Sequence, residues 1–297
     1  MASTHVSRGP IPTCPGPDRH PHRPLRFVVP DRAVDTHAHV IGTEPRYPLI
    51  KERNYTAPEA TPAAYLDMLD ATGTTHGVLV QVSVHGTDNR LMLETLKASS
   101  GRLRGVAVAA LGRPEREYQA LRDAGVVGLR INVLFGGGGG MDVVEDYAAL
   151  CRDIGWHLQL LLDARELPTL APRLSRLPVP LVFDHMGHFP AALGVDSQAC
   201  QLLLALVRDG AWVKLSAPYR LTDQPPPYPS TVAIARALAR AAPERCVWGS
   251  DWPHVANYGH MMNVGDLLDV LADWVPDDHA RHRVLVTNPA RLYGFPA

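Results

Sequence analysis

Short apolar runs alternate with longer amphipathic stretches along most of this chain. Eight runs have the length and β-branched content of strands, at residues 33–41, 76–84, 103–110, 127–133, 157–162, 179–183, 211–215 and 246–249. Helical periodicity falls between them, at 61–71, 88–97, 115–124, 141–154, 197–208 and 231–241. A weaker helical stretch at 165–173 is interrupted by Pro168 and Pro172. Two more helices are predicted after the last strand, at 261–274 and 277–286. Strict strand–helix alternation predicts a parallel sheet with helical crossovers. Eight repeats of it predict a closed (β/α)8 TIM barrel. An open doubly wound sheet would offer a glycine fingerprint after its first strand. Here that place reads His37-Ala38-His39.

The ends of three strands carry the candidate chemistry. The first reads Val34-Asp35-Thr36-His37-Ala38-His39-Val40. In a regular strand, alternation puts Asp35, His37 and His39 on one face and Val34, Thr36, Ala38 and Val40 on the other. The sixth strand leads into Phe183-Asp184-His185-Met186-Gly187, and the eighth into Gly249-Ser250-Asp251-Trp252-Pro253-His254. Barrel sites lie at the C-terminal ends of strands, and closure makes the eighth strand a neighbour of the first. His37, His39, His185 and Asp251 are therefore predicted to converge. A carboxylate is a base at neutral pH, while imidazoles are donors or metal ligands. Four such groups at one mouth predict catalysis.

Composition narrows the class. A chain of 297 residues, 46% apolar, is enough for one barrel domain, read here as residues 32–297. With 29 Lys plus Arg against 30 Asp plus Glu, no charge excess points to nucleic acid or an anionic membrane. No run approaches the ~18–20 apolar residues of a membrane helix. Cys14, Cys151, Cys200 and Cys246 form no Cys-x-x-Cys pair, so neither a disulfide framework nor a zinc-finger-like site is expected, and a cytoplasmic location is the simplest reading. Residues 1–31 are rich in Pro, Arg and His, lack an apolar signal-peptide core, and are expected to form a flexible N-terminal arm. Its His5, His20 and His22 are read as solvated rather than metal-binding. Two long loops follow strands one and four: 42–60, with Arg46, Tyr47, Asn54 and Tyr55, and the glycine run 136–140, read either as a lid or as a surface insertion.

Six stretches now carry a resemblance: residues 34–42 (VDTHAHVIG), 77–83 (GVLVQVS), 128–132 (GLRIN), 183–187 (FDHMG), 212–216 (WVKLS) and 247–254 (VWGSDWPH). In this order the chain resembles the amidohydrolase superfamily, and within it the branch of 2-pyrone-4,6-dicarboxylate and sugar-lactone hydrolases. The resemblance implies opening of a lactone ester ring by water. His37, His39 and His185 would stabilise charge on the carbonyl oxygen, and Asp251 would act as general base and return the proton to the leaving oxygen. Arg130, Tyr55 and Ser83 match substrate-contacting positions, and Arg220 is a second candidate for gripping a substrate carboxylate. Where two-metal members carry a bridging lysine, this chain reads Arg130-Ile131-Asn132, so a binuclear site is not expected. The resembled subgroup implies that no cofactor is required. The alternative is one divalent ion such as Zn2+ on His37, His39 and Asp251. His188 stands where the pattern usually has arginine, and Leu161 and Leu162 stand where the dicarboxylate enzyme has a tyrosine. The pocket is thus less cationic and less polar on one side, which weakens the match to a dicarboxylate more than the match to lactone hydrolysis.

Several residues carry a structural reading beside the functional one. Arg130 alternatively closes an ion pair with Asp184; Asp35 and Asp184 are read as orienting the histidines. Lys214 reads as structural, His254 as either a support behind the reacting groups or a rim contact, and His85 and Asn89 as either mouth or loop residues. The expected partner is a small-molecule lactone, with neither nucleic acid nor membrane. The alternatives are a metal-dependent decarboxylase of an aromatic or dienoic acid, or a barrel that only binds a ligand.

Overall fold

The computed structural model describes residues 10–296. Eight strands pair in parallel in chain order: β1 (Val34–Ala38), β2 (His76–Val80), β3 (Leu103–Ala107), β4 (Val126–Asn132), β5 (His157–Leu161), β6 (Leu181–Phe183), β7 (Trp212–Ser216) and β8 (Cys246–Gly249). The ring closes just past β8: the Asp251 N–H donates to the His37 carbonyl at 2.8 Å, and the His39 N–H to the Trp252 carbonyl at 2.8 Å. The helices are α1 (Pro62–Thr72), α2 (Arg90–Ala98), α3 (Glu115–Asp123), α4 (Val144–Ile154), α5 (Leu167–Leu174), the single turn α6 (His185–His188), α7 (Gln198–Arg208), α8 (Val232–Ala241), α9 (Val264–Trp274), α10 (Asp278–His282) and α11 (Asn288–Tyr293). The expected (β/α)8 barrel is the fold.

Local chemistry sets the boundaries. The Thr61 hydroxyl caps α1 by accepting from the Ala64 N–H, Pro62 opens the helix, and Gly73 ends it in the left-handed region at φ 83°. Pro168 sits in the first turn of α5, where its missing N–H has no helical partner to lose, so the helix forms despite it. β6 starts at Leu181 rather than 179 because Pro178 and Pro180 cannot donate to the ladder. The second apolar run stops being a strand at Val80 and turns through a 3-10 segment, Ser83–His85.

Side chains on the inner face of the strands form layers. Val34, Val78, Val80 and Val106 pack with Tyr293 and Phe295 into an apolar floor. Above it lies a polar layer of Arg130, Gln159, Asp184 and Lys214, all buried. The main hydrophobic core lies outside the sheet, beneath the helices. One expectation is corrected here. Asp35 does not share a face with His37 and His39, because the β1–β2 register shifts between Asp35 and Ala38. Asp35 stays on the helix side, accepting from Tyr65 of α1 at 3.2 Å and from the Ser250 hydroxyl at 2.7 Å. Burial there pushes its carboxyl up to about 6. The shift turns His37 inward beside His39.

Residues 10–31 contain no helix and lie along the barrel; His22 pairs with Asp266 of α9 at 3.5 Å, and His5 lies outside the described residues. No helix among the described residues is long and apolar enough to cross a membrane.

Candidate active site

The chain places its polar residues at the C-terminal mouth by bending the backbone there. His185, Met186, Ala217, Asp251 and His254 all have positive φ between 50° and 64°, a strained region for side-chain-bearing residues, directly after β6, β7 and β8. A small, narrow cavity opens at this mouth. Seven of the eight predicted site residues line it: His39, Tyr55, Ser83, Arg130, His185, Arg220 and Asp251. The eighth, His37, sits just below, with its Nε2 3.6 Å from Asp251 Oδ1. The Tyr55 and Ser83 hydroxyls bond at 2.8 Å. Gly137, from the glycine run, approaches the Ser83 carbonyl so closely that a Cβ would lie 2.7 Å from it.

Asp251 is held by one oxygen and open at the other. Its Oδ2 accepts from the Tyr219 hydroxyl at 2.6 Å and from Arg220 Nε at 2.8 Å. Its Oδ1 faces three imidazole Nε2 atoms, at 3.6 Å from His37, 3.7 Å from His39 and 3.6 Å from His185. Burial opposes ionisation of Asp251. The Arg220 charge and the imidazoles outweigh it, so the carboxyl lies well below the usual range. Burial pushes His39 down to about 4 and His185 to about 3, so these rings are neutral at pH 7.

The other ring nitrogen of His39 sets its tautomer. His39 Nδ1 lies 2.7 Å from the Val80 carbonyl, which can only accept, so the proton is on Nδ1 and the lone pair on Nε2. His37 Nδ1 lies 3.2 Å from Asp184 Oδ1. Asp184 Oδ2 is already served by Arg130 Nε and Gln159 Nε2, each at 3.0 Å. Lys214 donates to the Thr36 carbonyl at 2.9 Å and to Gln159 Oε1 at 2.8 Å. Lys214 Nζ also lies 3.2 Å from His37 Nδ1 and 3.4 Å from Asp184 Oδ1, so this ring nitrogen faces both an acceptor and a donor, and its neighbours admit either tautomer. His185 Nδ1 bonds the Ser216 hydroxyl at 2.8 Å.

At His39, then, an acceptor nitrogen faces the acceptor Asp251 Oδ1 at 3.7 Å. His37 Nε2 and Asp251 Oδ1 are buried without a hydrogen-bond partner. Nitrogen and oxygen ligands about 2.1 Å from a tetrahedral ion stand about 3.4 Å apart. The observed 3.6–3.7 Å spacings suit that arrangement and are too long for hydrogen bonds. His37, His39 and Asp251 thus fit a single divalent ion, and their ligand atoms lie within 4.8 Å of one another. The expectation of no required cofactor finds no support in this donor set.

Arg130 lines the cavity and also makes the alternative ion pair with Asp184, its Nη2 at 3.0 Å. His85 and Asn89 do not line the cavity. His85 Nε2 accepts from the Gly42 N–H, and Asn89 bonds the Val108 backbone, so both tie down loops. Sequence reasoning missed Asn132, Phe135 and Val255 as cavity walls and Tyr219 as a holder of Asp251. Asn132 was accessible through strand alternation from Arg130, whereas Phe135, Tyr219 and Val255 lie on loops with no periodic signal.

A His/Asp cluster at the mouth of a (β/α)8 barrel is the arrangement of a hydrolytic enzyme. The Amidohydrolase family model matches residues 34–295, and the chain belongs to that family. It is 35% identical over 291 residues to 4-sulfomuconolactone hydrolase of Hydrogenophaga intermedia, covering 95% of each chain. It is likewise 35% identical over 286 residues to 2-pyrone-4,6-dicarboxylate hydrolase of Comamonas testosteroni, covering 92% of this chain and 93% of that one. A crystal structure from Acinetobacter baumannii, described as a 2-pyrone-4,6-dicarboxylic acid hydrolase with citric acid bound, superposes with a TM-score of 0.79. It is 29% identical and covers 89% of this chain and 100% of that one.

Proposed function

We propose that the protein hydrolyses the ester ring of an anionic lactone to the ring-opened hydroxy acid, with Asp251 as general base and one divalent ion held by His37, His39 and Asp251. The observation that carries this reading is the convergence of three imidazole Nε2 atoms on Asp251 Oδ1 beside two arginines in a small cavity. The two hydrolases that the chain matches at 35% identity both carry names of lactone-opening enzymes with anionic substrates. The decarboxylase and the non-catalytic barrel find no support among them.

The chain's own groups divide the work. Arg130 and Arg220 supply cationic edges for a substrate carboxylate or sulfonate. Phe135, Leu161 and Val255 form the apolar wall against the ring and exclude water. Asp251 Oδ1 receives a proton from the attacking water, the water oxygen bonds to the carbonyl carbon, and the ring C–O bond breaks. The leaving oxygen takes the proton back from Asp251. A carboxyl held so far down is a weak base, so the attack requires a more acidic water than bulk solvent supplies. A divalent ion bound at the histidines would supply that acidity and polarise the carbonyl.

The test is ring opening of 4-sulfomuconolactone, 2-pyrone-4,6-dicarboxylate and a neutral sugar lactone, together with metal analysis before and after chelation. Turnover of an anionic lactone with about one ion per chain, lost on chelation and restored by Zn2+, supports the proposal. Preference for the neutral lactone overturns the anionic substrate, and full activity in metal-free protein overturns the ion.

A further inference from the structure

The N-terminal arm touches the mouth at one defined place. The Cys14 N–H donates to the Thr56 carbonyl at 2.9 Å, and the Thr56 N–H to the Pro12 carbonyl at 2.8 Å. This small parallel bridge pairs Thr13 with Thr56, on the loop after β1. The Cys14 thiol is buried beside the backbone of Ala256, on the loop after β8. One short segment therefore bonds the β1 loop and packs against the β8 loop, which come from opposite ends of the chain. Each contact lies one residue from a cavity wall: Tyr55 precedes Thr56, and Val255 precedes Ala256. Arg220 adds a third loop to the same junction, since its Nη2 donates to the Val255 carbonyl at 2.8 Å. Beyond the junction the arm is moored to α9. Leu25 and Arg26 donate backbone N–H groups to Asp269 at 3.0 and 2.8 Å, and Asn263 bonds Asp18 at 3.0 Å.

A barrel site is ordinarily built from its own strand-to-helix loops. Beyond the closure bond between His39 and Trp252, the arm touches both loops. We infer that residues 12–14 are a positioning element of the active site, a cross-brace that holds the β1 and β8 loops together so that Tyr55 and Val255 form the walls against the substrate ring. The segment makes no contact with the reacting atoms. Its loss loosens the pocket without removing any catalytic group, so substrate binding weakens more than turnover.

The experiment uses full-length Cys14→Pro, which removes both the N–H given to Thr56 and the thiol at Ala256. Hydrogen exchange is read by mass spectrometry on peptides covering 53–60 and 252–258, with β4 and β5 as controls. Both loop segments are expected to exchange at least about tenfold faster, with the strands unchanged. KM for the lactone that the wild type opens is expected to rise about tenfold or more, with kcat within about threefold. Wild-type exchange in both segments overturns the brace, as does faster exchange with unchanged KM, which would mark a purely structural tie. The exchange arm needs no substrate, so its outcome is separable from that of the lactone assignment, on which only the KM arm rests. Should the variant not fold, alkylation of Cys14 in the wild type decides. Cys14 is expected to open to iodoacetamide at the rate at which the two loop segments exchange. Modification of Cys14 while both loops stay protected refutes the inference.

Discussion

Replacing Asp251 by Asn keeps the side chain's size and removes its charge. Proton transfer by a positioned base contributes about 10²–10⁴-fold, or about 2.7–5.4 kcal/mol of barrel-mouth catalysis at 1.36 kcal/mol per decade. Among the described residues, Asp251 Oδ1 is the one carboxylate oxygen within 3.7 Å of all three imidazole Nε2 atoms, so no described neighbour inherits the role. The loss in kcat should therefore reach a hundredfold or more. Substrate affinity should change little, because Arg130 and Arg220 remain. Stability also responds. Arg220 Nε donates to Asp251 at 2.8 Å with 8% of its side chain exposed, and breaking a buried pair costs about 3–5 kcal/mol. Asparagine still offers an oxygen to Arg220 or Tyr219, so the cost should fall at the lower end, about 3 kcal/mol. For a barrel of this size that lowers Tm by roughly 6–12 °C. The assay is loss of lactone absorbance near neutral pH, with Tm and metal content measured on the same preparation. A folded variant whose kcat stays within about tenfold of wild type refutes Asp251 as the base.

Arg130→Met should raise KM for an anionic lactone by about ten- to a thousandfold, and it should lower Tm as well, because Asp184 loses a partner at 3.0 Å; unchanged KM for the anionic substrate would remove Arg130 from substrate binding. Stability should fall in mild acid. The unfolded chain's histidines take up protons near pH 6.5, while burial holds His39 at about 4 and His185 at about 3 in the fold. The unfolded state therefore binds more protons below pH 6.5, so stability is full above that pH and drops as the pH falls toward 4. A Tm that stays level from pH 6.5 to 4.5 would contradict the buried neutral imidazoles.

The sequence by itself determined the barrel and the identity of its mouth residues. Eight apolar runs spaced by helical periodicity admit few other topologies, and polar residues just past strand ends are placed by that topology alone. All eight residues picked out from the sequence lie in or against one cavity for this reason. Side-chain direction was a different matter. Alternation assumes a regular strand, and the register shift between Asp35 and Ala38 broke it, sending Asp35 to Tyr65 and His37 into the barrel. That shift depends on how β1 meets β2 and the turn after β8, the second contact reaching across 215 residues. The same holds for protons. Only the meeting of His39 with the Val80 carbonyl decides that its lone pair faces Asp251. Residue type fixes what a group can donate or accept, whereas the tertiary neighbours fix which of its atoms does so.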